Sequence, residues 1–357
     1  MNPIEYPFWA WVFFFAVVLV ALFVDIGIVN RHSHVPSRKE TTVWSIVWIS
    51  LALAFNVFIY WVVSSHLGDS ALAATKAKEF FTGYLIELSL SVDNLFVFLL
   101  IFSYFKVPKE FQHRVLFWGI IGALVMRMIM IFAGAELVER FHWILYVFGV
   151  FLLYTGIKMF KDDDESFNPE ESRMISVITR YIPISKRYDG NNFTIEEAGK
   201  KVGTLLLLVL IVVELSDLMF AVDSIPAIFG ITTDKFIVYT SNIFAILGLR
   251  TFFFLLADLA DRFHLLKFGL AFVLSFIGFK MLLPLIAEIL LKTMGAGDGS
   301  GFSAFLQSYL HHDYKQTEIN ISLIVVVSAI TLSIIASLVF PPKKGKDTIK
   351  EMEEDLT

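Results

Sequence analysis

Glu87-Leu-Ser-Leu-Ser-Val-Asp-Asn94 lies in the middle of a long apolar stretch, and its reading decides the fold. A second acidic string, Glu214-Leu-Ser-Asp-Leu-Met-Phe-Ala-Val-Asp-Ser224, sits far downstream in a setting of the same kind. Apolar residues flank both strings over the roughly 20 residues that a bilayer crossing needs. A carboxylate at bilayer depth is costly, so an acid retained there is a functional candidate by default. Small polar groups accompany the acids: Ser89, Ser91 and Asn94 in the first string, Ser216 and Ser224 in the second. All are hard oxygen donors, the kind that suits Mg, Ca or Mn.

Composition points the same way. Of 357 residues, 57% are hydrophobic and 18% charged, with mean hydropathy +0.70. A soluble domain carries about 25% charged residues. The chain therefore reads as an all-α, polytopic membrane protein. No basic cluster exceeds a few residues, which leaves nucleic acid out as a partner. The chain has no cysteine, so disulfides, thiolate metal sites and cysteine nucleophiles are excluded together. Most Met residues sit in apolar runs, where packing is their ordinary role. The N-terminus does not read as a cleavable signal: Met1 to Pro7 holds Glu5 and no Lys or Arg, and the following apolar run is too long.

Hydropathy predicts nine spans: Phe8–Val29, Thr42–Val63, Phe80–Phe105, Val115–Ala133, Trp143–Phe160, Leu205–Phe229, Phe236–Ala257, Leu265–Leu283 and Ile319–Phe340. With the N-terminus outside, the inner segments, counted with Lys158 and Lys267 at the adjoining span ends, hold 20 Lys and Arg, the outer segments 6 and the remaining span positions 3, which accounts for all 29. Excess basic charge marks the cytoplasmic side, so the reading is N-terminus out, C-terminus in, across the inner (plasma) membrane. The predicted organisation is peripheral helices over 1–79, a three-helix unit over 80–160, and a cytoplasmic loop over 161–204. A second three-helix unit follows over 205–283, then an outer loop over 284–318 and a last span with its tail over 319–357.

The cytoplasmic loop opens on Asp162-Asp-Asp-Glu165 and continues into a basic, partly amphipathic stretch, Arg173–Tyr188, expected as an interfacial helix. The outer loop is rich in Gly and polar residues near Gly295–Ser303. Its His311-His312-Asp313, like His32 and His34 in the first inner loop, reads as surface.

The two three-helix units repeat one pattern. Arg140-Phe-His142 is followed by Gly156-Ile-Lys-Met159, and Arg262-Phe-His264 by Gly278-Phe-Lys-Met281. Sixteen residues separate the His from the Lys in each copy. Arg127 and Arg250 stand upstream at near-equal distances, and Val92-Asp-Asn94 corresponds to Val222-Asp-Ser224. The first unit starts outside and the second inside, so the copies are inverted. Many secondary transporters are built this way, with substrate near the midplane.

Six acids lie in the predicted spans (Asp25, Glu87, Asp93, Glu214, Asp217, Asp223), against two firmly embedded cations, Arg127 and Arg250. A low-dielectric interior tolerates that excess only if acids are protonated or a cation joins them. The two acidic strings are therefore read as ion-binding motifs, with either protons or a cation offsetting their charge. Asn94, Ser91, Ser216, Ser224 and Asp25 are auxiliary candidates, and Arg127 and Arg250 serve charge pairing or coupling. Asn56 and Asn242 read as interhelical hydrogen bonders. Glu87 precedes Asp93 by six residues, as Asp217 precedes Asp223. Six residues of straight helix turn through about 600°, or 240° net, which aims each pair apart. Breaks are therefore predicted near Ser91–Asn94 and Val222–Pro226, the second aided by proline.

These segments resemble the TerC family of membrane proteins, its Alx-type members in particular. The resemblance rests on Phe81-Thr-Gly-Tyr-Leu-Ile-Glu-Leu-Ser-Leu-Ser-Val-Asp-Asn94, Arg127-Met-Ile-Met-Ile-Phe-Ala-Gly134, Val213-Glu-Leu-Ser-Asp217, Phe220-Ala-Val-Asp-Ser-Ile-Pro-Ala227 and Thr240-Ser-Asn-Ile-Phe-Ala-Ile-Leu-Gly-Leu-Arg250. It implies a three-plus-three transporter fold similar to the LysE-like superfamily, and export of divalent metal, chiefly Mn2+, with Glu87, Asp93, Glu214, Asp217 and Asp223 as the metal-ligating acids. It also implies a link to alkaline pH or tellurite resistance in some members. The expected function is Mn2+ export by alternating access, with proton antiport as a further expectation and no cofactor besides the transported ion. The partners are the metal ion and the bilayer, and no oligomerisation signal is read. The rivals are an exporter of small cationic organic solutes and a membrane scaffold in the tellurite or metal-stress response. An enzyme is not expected. Gly295-Ala-Gly-Asp298 matches a GxGD protease string, but it lies in a polar loop and no Tyr-Asp pair lies in a span.

Overall fold

The computed structural model describes residues 6–24, 38–161, 178–185, 187–197, 199–257, 265–294, 310 and 315–340. The side chains of Asp93, Asp223 and Arg250 lie outside this described set. So do Asp25, His32, His34, the acidic run 162–165, Gly295–Asp298 and His311–Asp313.

Ten helices and one hairpin make up the described part: α1 Phe8–Val24, α2 Arg38–Leu67, α3 Ser70–Tyr104, α4 Lys109–Arg140, α5 Ile144–Lys161, β1 Thr194–Glu197, β2 Lys200–Gly203, α6 Leu205–Phe229, α7 Lys235–Leu247, α8 Leu249–Ala257, α9 Leu266–Met294 and α10 Lys315–Val339. Five of them, α2, α4, α6, α9 and α10, contain stretches long and apolar enough to cross a membrane. Shorter apolar helices run over Phe8–Val24, Ile144–Phe160 and Lys235–Leu247.

Local chemistry sets the helix starts. Asp69 caps α3, accepting from the amides of Ala71 and Leu72 at 2.9 Å each. Thr204 caps α6 through Leu207, and Asp234 caps α7 through Phe236 and Ile237. Each oxygen satisfies amides that the first helical turn leaves without partners.

Two expectations are corrected. Both acidic strings lie on unbroken helices: α3 runs through Ser91–Asn94 and α6 through Val222–Pro226. Pro226 stands three residues before the end of α6, where one missing ladder bond does not stop the helix. The break falls instead in the predicted span Phe236–Ala257, at Gly248, between α7 and α8. A side chain there would meet the Phe252 ring at 2.6 Å and Trp48 Cβ at 3.2 Å, so the close packing itself calls for glycine. Of Arg173–Tyr188, expected as an interfacial helix, residues 178–185, 187 and 188 are described, and 178–181 are helical. An unforeseen hairpin follows, β1 pairing antiparallel with β2 from Thr194↔Gly203 to Glu197↔Lys200. Tyr188 ties this region to the end of α3 by donating to the Phe105 carbonyl at 2.7 Å, and burial pushes its phenol pKa up to about 12.

Helices α3, α4, α6 and α7 form the centre: α3 packs on α7 and α6, and α4 on α6 and α7. Helices α1 and α2 cover α7 with aromatic rings, Phe55 lying 4.5 Å from Phe244. The tightest pair is α5 with α9. A Cβ on Gly278 would stand 2.5 Å from Leu153 N and 2.7 Å from Gly149 O. A Cβ on Gly156 would stand 2.7 Å from Ala271 O. Small residues let helix backbones approach this closely, which favours association where lipid removes the hydrophobic drive. Gly278→Ala is expected to destabilise by about 2–3 kcal/mol, because overpacking meets unyielding backbone. At Gly119 the nearest atom is 3.5 Å away, an ordinary contact. Gly119→Ala is expected to stabilise by up to about 1 kcal/mol through lost unfolded-state freedom. Thermal unfolding of both variants in detergent checks the opposite signs.

Candidate ion-binding site

Each of the four central helices sends one polar side chain to a common point. Arg127 on α4 is wholly buried, as is Glu87 on α3, and Asp217 on α6 is 6% exposed. Arg127 Nη1 is ion-paired with Glu87 Oε1. Its other edge faces Asp217: Nη2 lies 3.2 Å from Oδ1 and Nε 3.4 Å from Oδ2. Asn242 on α7 completes the ring, its Nδ2 donating to Glu87 Oε2 at 2.9 Å. Ser224 and Ser91 lie at the margin, 3.4 Å from Arg127 Nη1 and Glu87 Oε1 respectively. A guanidinium fits this role because its planar fork addresses carboxylates at two edges.

The remaining candidates sit differently. Glu214, one turn before Asp217, lies against Gly122 of α4, whose missing side chain leaves room for the carboxyl group. Among the described residues Glu214 makes no ion pair. Ser216 donates to the Val212 carbonyl of its own helix at 2.8 Å. Asn94 is 4% exposed, and its Nδ2 has no hydrogen-bond partner among the described residues. Among the described residues no group of three or more His, Cys, Asp or Glu stands ready to hold a metal. Thus Glu87, Asp217, Arg127, Asn242, Ser91 and Ser224 are brought together, Glu214 is held one helical turn away, and Ser216 is spent on backbone. Asn56, read with Asn242 as a helix bridge, keeps an unpartnered Oδ1 among the described residues.

A second buried charge cluster escaped the sequence reading. Lys76 on α3 pairs with Glu79 at 2.8 Å and with Asp234 at 2.9 Å. Tyr6 donates to Asp234 Oδ2 at 3.1 Å, and Thr232 to Glu79 Oε2 at 2.7 Å. The only local signal was the three-residue spacing of Lys76 and Glu79, which puts them on one helix face. Burial, the largest influence, acts to lower the Lys76 pKa, but Asp234 and Glu79 together reverse it, and the net direction is upward. Burial and Asp234 also push the Tyr6 phenol upward.

Comparison with known proteins gives this geometry a family. The description "Integral membrane protein TerC family" matches residues 72–344, which include every member of the central cluster. The chain belongs to the TerC family. The uncharacterized membrane protein STKORF319 of Myxococcus xanthus is 50% identical over 271 residues, 76% of this chain and 82% of its own. Alx of Escherichia coli (strain K12), whose name proposes a membrane-bound redox modulator, is 47% identical over 284 residues, 79% of this chain and 88% of its own. An uncharacterized membrane protein of Rickettsia felis is 38% identical over 330 residues, 92% of this chain and 97% of its own. No solved structure matches the chain. This TerC protein is therefore an integral membrane protein with several apolar helices.

Proposed function

We propose that this protein exports divalent metal ions, Mn2+ foremost, across the inner membrane by alternating access at a carboxylate site in the bilayer interior. The observation that carries the reading is the meeting of Glu87 and Asp217, from two separate helices, at one buried guanidinium, with Glu214 beside them. Two carboxylates around one arginine leave a formal charge of −1, and Glu214, if ionised, makes it −2. A divalent cation answers that excess, and carboxylate and amide oxygens suit a hard ion. Asp93 and Asp223 belong to the proposed ligand set by their place in the two acidic strings. Asn94, Ser91 and Ser224 are the proposed auxiliaries, and Asp25 and Ser216 follow at lower rank.

Two inverted three-helix units are part of the proposal. Helices α5 and α9 meet reciprocally, Gly149 facing Gly278 and Gly156 facing Ala271. In the repeat, Gly156 corresponds to Gly278 and, at the same offset of 122, Gly149 to Ala271. The two contacts are then one contact seen from either unit, as a two-fold relation requires. Glu87 and Asp217 also occupy matching places, each six residues before the second acid. The orientation proposed from the Lys and Arg distribution keeps the N-terminus outside and the C-terminus in the cytoplasm.

Redox modulation, the role that the name of Alx proposes, would involve no thiol chemistry of this chain's own, because it has no cysteine. Everted membrane vesicles test the reading. Vesicles carrying the wild type are expected to accumulate Mn2+, and vesicles carrying Asp93→Asn are not. Equal accumulation by both, or by neither, contradicts it. Accumulation of a quaternary ammonium ion in place of Mn2+ favours the organic-cation exporter.

A further inference from the structure

We propose that Arg127 is a tethered substitute for the cargo: its guanidinium neutralises Glu87 and Asp217 in the empty carrier, and the incoming divalent cation displaces it. The inference rests on the export reading above.

The physical case starts from what an exporter must do after release. Its binding carboxylates have to cross the low-dielectric barrier again with no ion between them. Uncompensated carboxylates in such a place are expensive, and breaking a buried pair leaves that cost in full. Arg127 removes it from within the chain. The guanidinium is fully buried and faces acids on two helices. It occupies the position between Glu87 and Asp217 that a bridging cation needs, so cargo and Arg127 are alternatives there.

A displaced arginine needs another acid. Glu214 supplies it: it shares a face of α6 with Asp217, three residues away, and leans on Gly122 of the helix that carries Arg127. A shift of Arg127 by about one helical turn, roughly 5 Å, takes it from one carboxylate to the next. Binding one ion thus moves one internal charge, and the interior gains no net unpaired cation.

Proteoliposomes loaded with radioactive Mn2+ separate two fluxes. Net efflux into metal-free medium needs the empty carrier to return. Exchange against external Mn2+ does not. Arg127→Gln is expected to lower the ratio of net efflux to exchange by about 100-fold or more, since two bare carboxylates then face the barrier whenever the carrier returns empty. Arg127→Lys keeps a charge that cannot bridge both acids, and is expected to shift the ratio in the same direction by about 10-fold. If Arg127→Gln does not fold, Arg127→Lys decides. Equal loss of both fluxes assigns Arg127 to shaping the site and overturns the proposal, as does an unchanged ratio. Absence of both fluxes in the wild type sinks the export reading itself, a result distinguishable from either.

Discussion

Glu87→Gln is expected to lower metal export by about 100-fold or more at equal protein level. The side chain is fully inside the protein, paired with Arg127 and held by Asn242. Its removal costs the site one negative charge without changing its shape, since Gln still offers Asn242 an oxygen. Breaking a buried ion pair costs about 3–5 kcal/mol. At about 1.4 kcal/mol per tenfold, that is two to three and a half orders of magnitude. The contrast is Glu136→Gln, on the same helix as Arg127. Glu136 pairs with Arg140 at 2.6 Å, but both side chains are more than half exposed, at 52% and 70%. A solvent-exposed pair of this kind is worth little, so export is expected to change by less than about twofold. A scaffold that works through its loops predicts no such difference between the two variants.

Lys76→Met is expected to cost about 3–5 kcal/mol of stability, the largest loss outside the central site. It strands Glu79 and Asp234 without their shared cation, at side-chain exposures of 1% and 7%. These acids join α3 to the connection between α6 and α7, and Tyr6 ties the segment before α1 to the same point. Lys76→Met/Glu79→Gln is expected to recover more than half of the loss, because Asp234 retains Tyr6 and the amides that it caps. Thermal unfolding in detergent measures both. The pH dependence has a definite sign. Lys76, which precedes the apolar run beginning at Phe80, has its folded pKa raised above the ordinary 10.5. The stability it contributes is complete below 10.5 and fades as pH rises through the folded value. Wild type should therefore keep this contribution throughout the neutral and mildly alkaline range.

Much of the fold was legible because hydropathy reports helices directly. The span predicted over Leu205–Phe229 coincides with α6 at both ends, and Thr42–Val63 lies within α2. The predicted breaks were misplaced for a physical reason. They were inferred from the wish to aim acids six residues apart at one point, whereas convergence here comes from different helices. Glu87, Asp217, Arg127 and Asn242 each need only one favourable face. That Arg127 would meet Glu87 and Asp217 together was open in the sequence, since an embedded cation among several acids has many possible partners. Asn242 was legible as a helix bridge, though not as the one holding Glu87. The Lys76 cluster was invisible as a cluster: Asp234 lies 158 residues from Lys76, and hydropathy assigned both to solvent-facing connections. Gly248 and Gly122 carried no local mark either, because what they accommodate, a packed ring and a neighbouring carboxyl group, arrives from elsewhere in the chain.

Equilibrium binding of radioactive Mn2+ to the purified protein tests the central claim most directly. The comparison is with the triple variant Glu87→Gln/Asp217→Asn/Arg127→Gln, which removes all three charges, strands none and keeps the polar shape. The wild type is expected to bind Mn2+ saturably and the folded triple variant to show no saturable binding. Equal affinity in the two would mean that the ion, if it binds, is held somewhere other than between these carboxylates.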